Sequence, residues 1–189
     1  MQRTARETYR MLGNESVWKA AQDCTSALAE ADVPHAVLGG VAVCLHGYQR
    51  NTVDVDLLVR PGDSEVVKST LISAGCKWNA KTSEFIALEG TPIHLVMADQ
   101  PAGKGSEVKL PDPADAKAIS VIEGLTVLTL AKLVESKLAC GEAEMRRTHK
   151  DFADVVELIA CNGLDGSFAR KLHKSVRPRF KELLRMARG

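Results

Sequence analysis

Two short stretches decide the fold of this chain: Leu38-Gly39-Gly40 and, thirteen residues further on, Asp54-Val55-Asp56-Leu57. Residues 52–59 around the second stretch are rich in β-branched side chains and leucine, with acidic residues at alternate positions. This pattern predicts a β-strand with one distinct face. Because residues i and i+2 of a strand point to the same face, about 6 to 7 Å apart, we expect Asp54 and Asp56 to lie side by side. Val53, Val55 and Leu57 should then face the core.

The paired carboxylates of Asp54 and Asp56 predict a metal site. Two like charges this close repel each other by about 1 to 4 kcal/mol, depending on the effective dielectric constant, unless a cation compensates them. Carboxylate oxygens are the ligands that hard divalent cations prefer in proteins. A bound metal ion is therefore the simplest reason for this pair of acidic residues.

Residues that could hold a phosphate group flank the acidic pair. Gly39 and Gly40 would let phosphates approach the main chain, and the amides that open the following helix would offer an anion site. Arg50 and Thr52, just before the acidic residues, would add a guanidinium group and a hydroxyl. The spacing thus favours a nucleotide bound beside a metal ion.

The rest of the pattern predicts an α/β (α+β) fold, in which a small mixed β-sheet with flanking helices is followed by a helical C-terminal part. Helices are predicted at 15–31, with Asn14 as N-cap, and at 41–46 and 61–74, and strands at 35–38 and 52–59. Segments 85–88 and 93–98 suit an antiparallel hairpin, and 99–118 a long loop. Further helices are expected at 125–139, 146–160 and 165–186. We therefore divide the chain into an α/β core at 1–118 and a helical part at 119–189, packed together as one unit.

The composition limits the classes of function. The chain has 189 residues, a formal net charge of only +1 and five cysteines without Cys-x-x-Cys spacing. The low net charge argues against general nucleic-acid binding, and the cysteine pattern argues against a disulfide framework or a zinc site. Reduced cysteines favour a cytoplasmic protein. No apolar run approaches about 18 residues, so we expect no membrane span.

The two stretches together resemble the motif of the polymerase-β-like nucleotidyltransferase superfamily: a hydrophobic residue, Gly-Gly or Gly-Ser, a gap of this size, and Asp-x-Asp. Residues 50–56, Arg-Asn-Thr-Val-Asp-Val-Asp, look especially like the minimal nucleotidyltransferases and the toxin-type transferases of abortive-infection systems. Residues 125–159 resemble the helical segment of the toxin-type proteins. The resemblance covers roughly residues 33–160 and implies the nucleotidyltransferase fold.

The resemblance also implies an activity and roles for individual residues. The expected reaction transfers a nucleoside monophosphate from a nucleoside triphosphate to a hydroxyl and releases pyrophosphate. Asp54 and Asp56 would bind Mg²⁺ or Mn²⁺. The triphosphate would be positioned by Gly39, Gly40, Arg50, Thr52 and Lys137. Without the resemblance, Lys137 would be interpreted as part of a solvated helix face. The acceptor stays open between a small molecule, RNA and protein, and a toxin would also have an antitoxin partner.

His94 departs from the superfamily pattern, because it occupies the place where a later strand usually carries a third carboxylate. A neutral imidazole is a poor ligand for Mg²⁺, so a second metal ion would be held less tightly. His94 could instead be the general base, since its ordinary pKa is about 6.5, or a hydrogen-bonded structural residue. The alternative function is therefore a nucleotidyltransferase-like protein without catalysis that binds a nucleotide, RNA or a partner protein.

The last predicted helix is basic, which fits either contact with RNA or a solvated helix face. The chain has only four phenylalanines, two tyrosines and two tryptophans, so stacking platforms for bases are not evident. We favour the solvated face.

Overall fold

The computed structural model describes residues 4–188, in which a mixed sheet lies between two helical layers. The α-helices are α1 (Ala5–Met11), α2 (Glu15–Glu30), α3 (Gly39–Leu45), α4 (Ser64–Ser73), α5 (Leu130–Ala143), α6 (Met145–Cys161) and α7 (Arg177–Arg188). The strands are β1 (His35–Leu38), β2 (Val55–Val59), β3 (Lys77–Asn79), β4 (Glu84–Ile86), β5 (Pro92–Met97), β6 (Ile119–Ile122) and β7 (Leu125–Leu128). Short 3₁₀ turns cover Pro61–Asp63, Gly166–Lys171 and Lys174–Val176. No helix within this described part is both long and apolar enough to cross a membrane.

The seven strands form one sheet in the order β3-β4-β5-β2-β1-β7-β6. Its centre is mixed, because β2 runs antiparallel to β1 but parallel to β5, and β1 runs parallel to β7. The β4–β5 pair is the predicted antiparallel hairpin. These findings confirm the predicted fold class, a mixed sheet with flanking helices and a helical C-terminal part.

The two faces of β2 separate the two cores. Val55, Leu57 and Val59 are completely buried in the core that contains α1, α2 and α4. Leu58 points to the opposite face, into the core formed with α5, α6 and α7. Asp56 shares that second face because side chains alternate along a strand. The alternation of side chains along β2 thus places the Asp56 carboxylate on the side of the sheet that carries α5, α6 and α7.

The strand is shorter than the sequence predicted. It begins at Val55 instead of residue 52, and Val53 is therefore 67% exposed instead of facing the core. Asn14 is the N-cap residue of α2, as predicted, but its side chain makes no cap hydrogen bond there. It donates instead to the carbonyl oxygen of Thr52 at 3.0 Å, and so holds the segment that leads into β2.

The prediction of a helix at 125–139 was wrong at its start. Residues 125–128 form β7, which pairs with the unpredicted strand β6 across a two-residue turn at Glu123 and Gly124. Both turn residues have positive φ, 50° and 82°, as tight hairpin turns of this kind require. The sheet therefore extends beyond residue 118, and helix α5 starts only at Leu130.

Two other boundaries differ from the sequence interpretation. Gly141 lies inside α5 instead of ending a helix, and a Cβ atom there would be 2.4 Å from the Phe152 ring of α6. Residues 165–186 form two 3₁₀ turns and then α7, not one continuous helix. The side chains of Asp165 and His173 each accept a hydrogen bond from a backbone amide two residues later, and these local caps start separate turns.

Candidate active site

Asp54, Asp56 and His94 converge at the amino-terminal ends of β2 and β5, beside the carboxyl end of β1. Asp56 lies in β2 directly opposite His94 of β5, and Asp54 immediately precedes β2. One potential ligand atom from each residue lies within 4.8 Å of the other two, and all three residues are half-buried. The structure thus brings together the carboxylate pair and the histidine that the sequence placed at the third position.

His94 contacts a carboxylate with each ring nitrogen. Its Nδ1 is 3.3 Å from Asp56 Oδ1 and 3.8 Å from Asp54 Oδ2, while its Nε2 is 3.0 Å from Glu84 Oε2. The hydrogen bond with Asp56, helped by that with Glu84, raises the pKa of His94 from 6.5 to about 9 against the opposing effect of burial. In this arrangement His94 is an imidazolium at neutral pH, and its charge compensates the acidic cluster.

Glu84 was missed by the sequence interpretation. It lies in β4, and the antiparallel register that sets Phe85 opposite Ile93 also brings Glu84 beside His94. Hydrogen bonds with Thr82 and His94 hold the pKa of Glu84 below its usual value. The predicted hairpin could have revealed this contact if its register had been extended by one residue.

Gly39 and Gly40 lie close to the acidic residues. A Cβ atom on Gly39, whose φ is +66°, would be 1.9 Å from Asp56 Oδ2, and a Cβ atom on Gly40 would be 2.5 Å from Thr52 Oγ1. The Thr52 hydroxyl in turn donates to Asp54 Oδ1 at 2.7 Å. The two glycines therefore leave room for the side chains of Asp56 and Thr52, and their contact with phosphates stays a prediction.

Arg50 and Lys137 line the cavity that contains Asp54, Asp56 and His94, but both are held in ion pairs. Arg50 donates two hydrogen bonds to the carboxylate of Asp154, at 2.6 and 2.9 Å. The Lys137 ammonium, which is buried, lies 3.0 Å from Asp151 and 2.6 Å from Asp154. Their charges are thus largely compensated by α6, and their proposed contact with a nucleotide stays a prediction.

This cavity has a volume of about 340 Å³ and is also lined by Asp54, Asp56 and His94. Three cations of α6 complete its rim, namely Arg146, Arg147 and Lys150. Arg147 pairs with Asp151 at 3.1 Å. Within residues 4–188, Arg146 and Lys150 are exposed and form no ion pair with an acidic group. The sequence interpretation assigned these residues no role in the site, although their spacing at the start of a helix places Arg146 and Lys150 on one face.

A smaller cavity of about 210 Å³ adjoins the first one. It shares Gly39, Asp56, Lys137 and Arg147 with it. Its remaining wall is mostly apolar and comes from the 99–118 loop and α5, including Ala102, Leu110 and Leu133. The long loop thus lies against the site.

Solved structures resemble this chain, whereas neither the family models nor the curated sequences gave a match. The crystal structure of ANT(2'')-Ia in complex with adenylyl-2''-tobramycin has 14% identity and a TM-score of 0.56, over 85% of this chain and 94% of that one. A candidate nucleotidyltransferase from H. pylori has 16% identity and a TM-score of 0.55, over 92% of both chains. Another, from Thermotoga maritima, has 17% identity and a TM-score of 0.51, over 72% of this chain and 92% of that one.

The structural comparison and the Gly-Gly and Asp-x-Asp motif point to the same fold. The Gly-Gly stretch follows the carboxyl end of β1, and the Asp-x-Asp stretch spans the start of β2. The sequence resemblance and the structural comparison therefore lead to the same fold. This chain has the nucleotidyltransferase fold.

Proposed function

We propose that this protein is a metal-dependent nucleotidyltransferase, which moves a nucleoside monophosphate from a nucleoside triphosphate to a hydroxyl acceptor. One observation carries the proposal: the carboxylates of Asp54 and Asp56 and the exposed cations Arg146 and Lys150 line a single cavity. A triphosphate with a bound divalent cation has both kinds of charge and fits between such walls. The nucleotidyltransferase fold supports the same activity.

The donor set fits a divalent metal ion, because Asp54 and Asp56 offer carboxylate oxygens at one point of the sheet. When bound there, such an ion would neutralise triphosphate charge and make the α-phosphorus more electrophilic. Thr52 orients Asp54 through its hydrogen bond, and Gly39 leaves room for the Asp56 carboxylate. These contacts would fix the ligands before the substrate arrives.

The remaining residues would bind and position the phosphates. Arg146 and Lys150 would neutralise the β- and γ-phosphates, which leave together as pyrophosphate. The acceptor oxygen forms a bond to the α-phosphorus, the bond from that phosphorus to the bridging oxygen breaks so that pyrophosphate leaves with the electron pair, and the proton of the acceptor hydroxyl passes to solvent water. His94 is poorly suited to take this proton, because both its ring nitrogens already lie against carboxylates.

The acceptor is best sought first among small molecules with hydroxyl groups. The neighbour ANT(2'')-Ia was solved with adenylyl-2''-tobramycin, a small molecule that carries an adenylyl group. In this chain, the smaller apolar cavity opens beside Asp56 and would offer an acceptor a surface next to the phosphates. RNA and proteins should be tested as acceptors after the small molecules. These tests also cover a toxin-type function.

The first experiment is calorimetric titration of ATP, GTP, CTP and UTP with Mg²⁺ or Mn²⁺. Wild-type protein should bind at least one triphosphate only when metal is present, and an Asp54→Asn, Asp56→Asn double variant should not bind it. Glu30→Gln is the control, because Glu30 is an exposed acidic residue at the end of α2, in the opposite helical layer. If no triphosphate binds with either metal, the proposed activity is wrong.

The transfer itself is tested with two labels. With a triphosphate labelled at the α-phosphorus, the acceptor should become labelled, whereas a γ-label should appear only in pyrophosphate. The alternative, a protein that binds nucleotide without catalysis, is supported by His94 at the third carboxylate position. Metal-dependent binding without label transfer to small molecules, RNA or proteins would favour that alternative.

A further inference from the structure

His94 lies where a metal ligand belongs, but an imidazole is not the ligand that Mg²⁺ selects. Register pairing sets His94 of β5 beside Asp56 of β2, and Nδ1 faces both Asp56 and Asp54. We propose that this metal centre is built for a divalent transition ion bound through His94 Nδ1, and that Glu84 is the residue that orients this imidazole. The inference rests on the proposed function, since it specifies the metal ion of the same site.

The distances suit one ion with three ligands. The separations of Nδ1 from the two aspartate oxygens are 3.3 and 3.8 Å. Adjacent ligands of an octahedral ion, each about 2.1 to 2.2 Å from the metal, are about 3 Å apart. One potential ligand atom of each residue lies within 4.8 Å of the other two, so the three groups come within reach of one ion when the side chains adjust.

The chemistry of the ligands selects the ion. Carboxylate oxygens and water suit Mg²⁺ and Mn²⁺ alike, whereas imidazole nitrogen favours transition ions over Mg²⁺. Mn²⁺ combines these preferences, because it also accepts the phosphate oxygens of a nucleotide. A site with two carboxylates and one imidazole should consequently favour Mn²⁺ over Mg²⁺ more strongly than a site with three carboxylates.

Glu84 supplies the contact that such an imidazole requires. A metal-bound histidine almost always donates its other ring N–H to a carboxylate, a carbonyl or water, which fixes the tautomer and the ring orientation. Here Nε2 lies 3.0 Å from Glu84 Oε2, and Glu84 comes from the neighbouring strand β4. With the proton held on Nε2, the lone pair of Nδ1 points toward the aspartates.

Electron spin-echo spectroscopy of bound Mn²⁺ tests this ligand directly, without any turnover. The wild-type protein loaded with Mn²⁺ should show coupling to a directly bound ¹⁴N nucleus, which ¹⁵N-labelled histidine replaces by ¹⁵N coupling. His94→Asp should bind Mn²⁺ without that coupling. His149→Gln is the matched control, because His149 is an exposed histidine of α6, and it should keep the signal.

Metal affinities test the preference and the role of Glu84. We expect the ratio of Mn²⁺ to Mg²⁺ affinity to fall at least about tenfold in His94→Asp, which offers oxygen in place of nitrogen. Glu84→Ala should weaken Mn²⁺ binding about 10- to 100-fold, as losses of such outer contacts do. Glu84→Gln keeps a hydrogen-bond acceptor and should restore most of the affinity and the nitrogen coupling.

The outcomes separate this inference from the proposed activity. Mn²⁺ that binds to the wild type without nitrogen coupling overturns the inference, even if the protein transfers nucleotides with Mg²⁺. An unchanged affinity ratio in His94→Asp overturns it as well. Nitrogen coupling without label transfer to any acceptor supports the metal ligand and contradicts the transferase.

Discussion

Arg50 and Asp154, 104 residues apart in the chain, form a two-pronged ion pair with Nε–Oδ1 and Nη2–Oδ2 distances of 2.6 and 2.9 Å. Lys137 reaches the same carboxylate from α5 at 2.6 Å, and only 2% of Asp154 is exposed. The pair connects the segment that leads into β2, next to Asp54 and Asp56, with α6. Helix α6 also carries Arg146 and Lys150. It therefore holds the two charged walls of the site together.

Substitution of Asp154 by asparagine should destabilise the protein strongly. The change removes the charge that the partly buried Arg50 and the buried Lys137 both contact, and breaking a buried ion pair in this way costs about 3 to 5 kcal/mol. Urea unfolding of Asp154→Asn, compared with wild type, measures this loss in the free energy of unfolding. Glu65→Gln is the control, because the Glu65–Lys68 pair is exposed and should contribute at most about 1 kcal/mol. Equal losses in both variants would contradict the structural role of Asp154.

The glycine pair should be sensitive to a single methyl group. In Gly39→Ala, the new Cβ atom meets the Asp56 carboxylate at a backbone φ of +66°, so both the side chain and the backbone must shift. We expect a loss of about 1 to 3 kcal/mol in the free energy of unfolding and at least about tenfold weaker metal binding. Chemical denaturation and calorimetric metal titration measure the two effects.

The matched control for this substitution is Gly62→Ala. A Cβ atom on Gly62 has no heavy atom within 4 Å, and its φ lies outside the left-handed region. This variant should keep both the stability and the metal affinity of the wild type. If Gly39→Ala also behaves like the wild type, the close approach between Gly39 and Asp56 does not position the carboxylate.

The parts of the site that the sequence predicted are those encoded by local patterns. The Asp-x-Asp spacing places Asp54 and Asp56 together at the start of β2, and the spacing from Gly39-Gly40 places the start of α3 beside them. The contact of His94 with Asp56 depends on the β2–β5 register, which only the resemblance to known proteins suggested. Glu84 carried no pattern of its own, because its function depends on the position of His94.

The strand at residues 125–128 shows why other predictions failed. Its four residues continue directly into α5, and a short apolar run next to a helix has no local feature that distinguishes it from a first helical turn. Pairing with β1 and β6 decides the outcome. The cations of α6 were missed for a similar reason, since only the packing of α6 across the sheet brings Arg146 and Lys150 opposite the aspartates.

Removal of the two free cations of α6 should weaken triphosphate binding but not metal binding. Arg146 and Lys150 are exposed, so we take the lower end of the strength of charged hydrogen bonds, about 1.5 kcal/mol each. An Arg146→Ala, Lys150→Ala variant should therefore bind the triphosphate about 100-fold more weakly, and its affinity should depend less on salt. Calorimetry with metal alone should give an unchanged or slightly higher affinity, because two positive charges have left the cavity.

Lys174→Ala serves as the control for this variant, since Lys174 is an exposed cation in the C-terminal 3₁₀ turn. Its triphosphate affinity should equal that of the wild type. Unchanged binding in the α6 variant would show that the triphosphate does not contact this wall of the cavity, and would favour Arg50 and Lys137 as its only cationic contacts among the predicted residues.

Titration of His94 should make the stability of the metal-free protein depend on pH in a defined direction. The carboxylates around it raise the folded-state pKa from 6.5 to about 9, with the Asp56 hydrogen bond as the largest cause. A raised folded-state pKa contributes stability that is fully present below about 6.5 and is lost as the pH rises through about 9. Urea unfolding with a chelator present should thus show wild type more stable than His94→Gln at pH 6, with the difference shrinking toward pH 10. In NMR spectra, the His94 ring should titrate near pH 9, and added Mn²⁺ should release its proton, as metal binding to a protonated ligand requires. A constant difference between the two proteins over this range would mean that His94 is already neutral between the carboxylates.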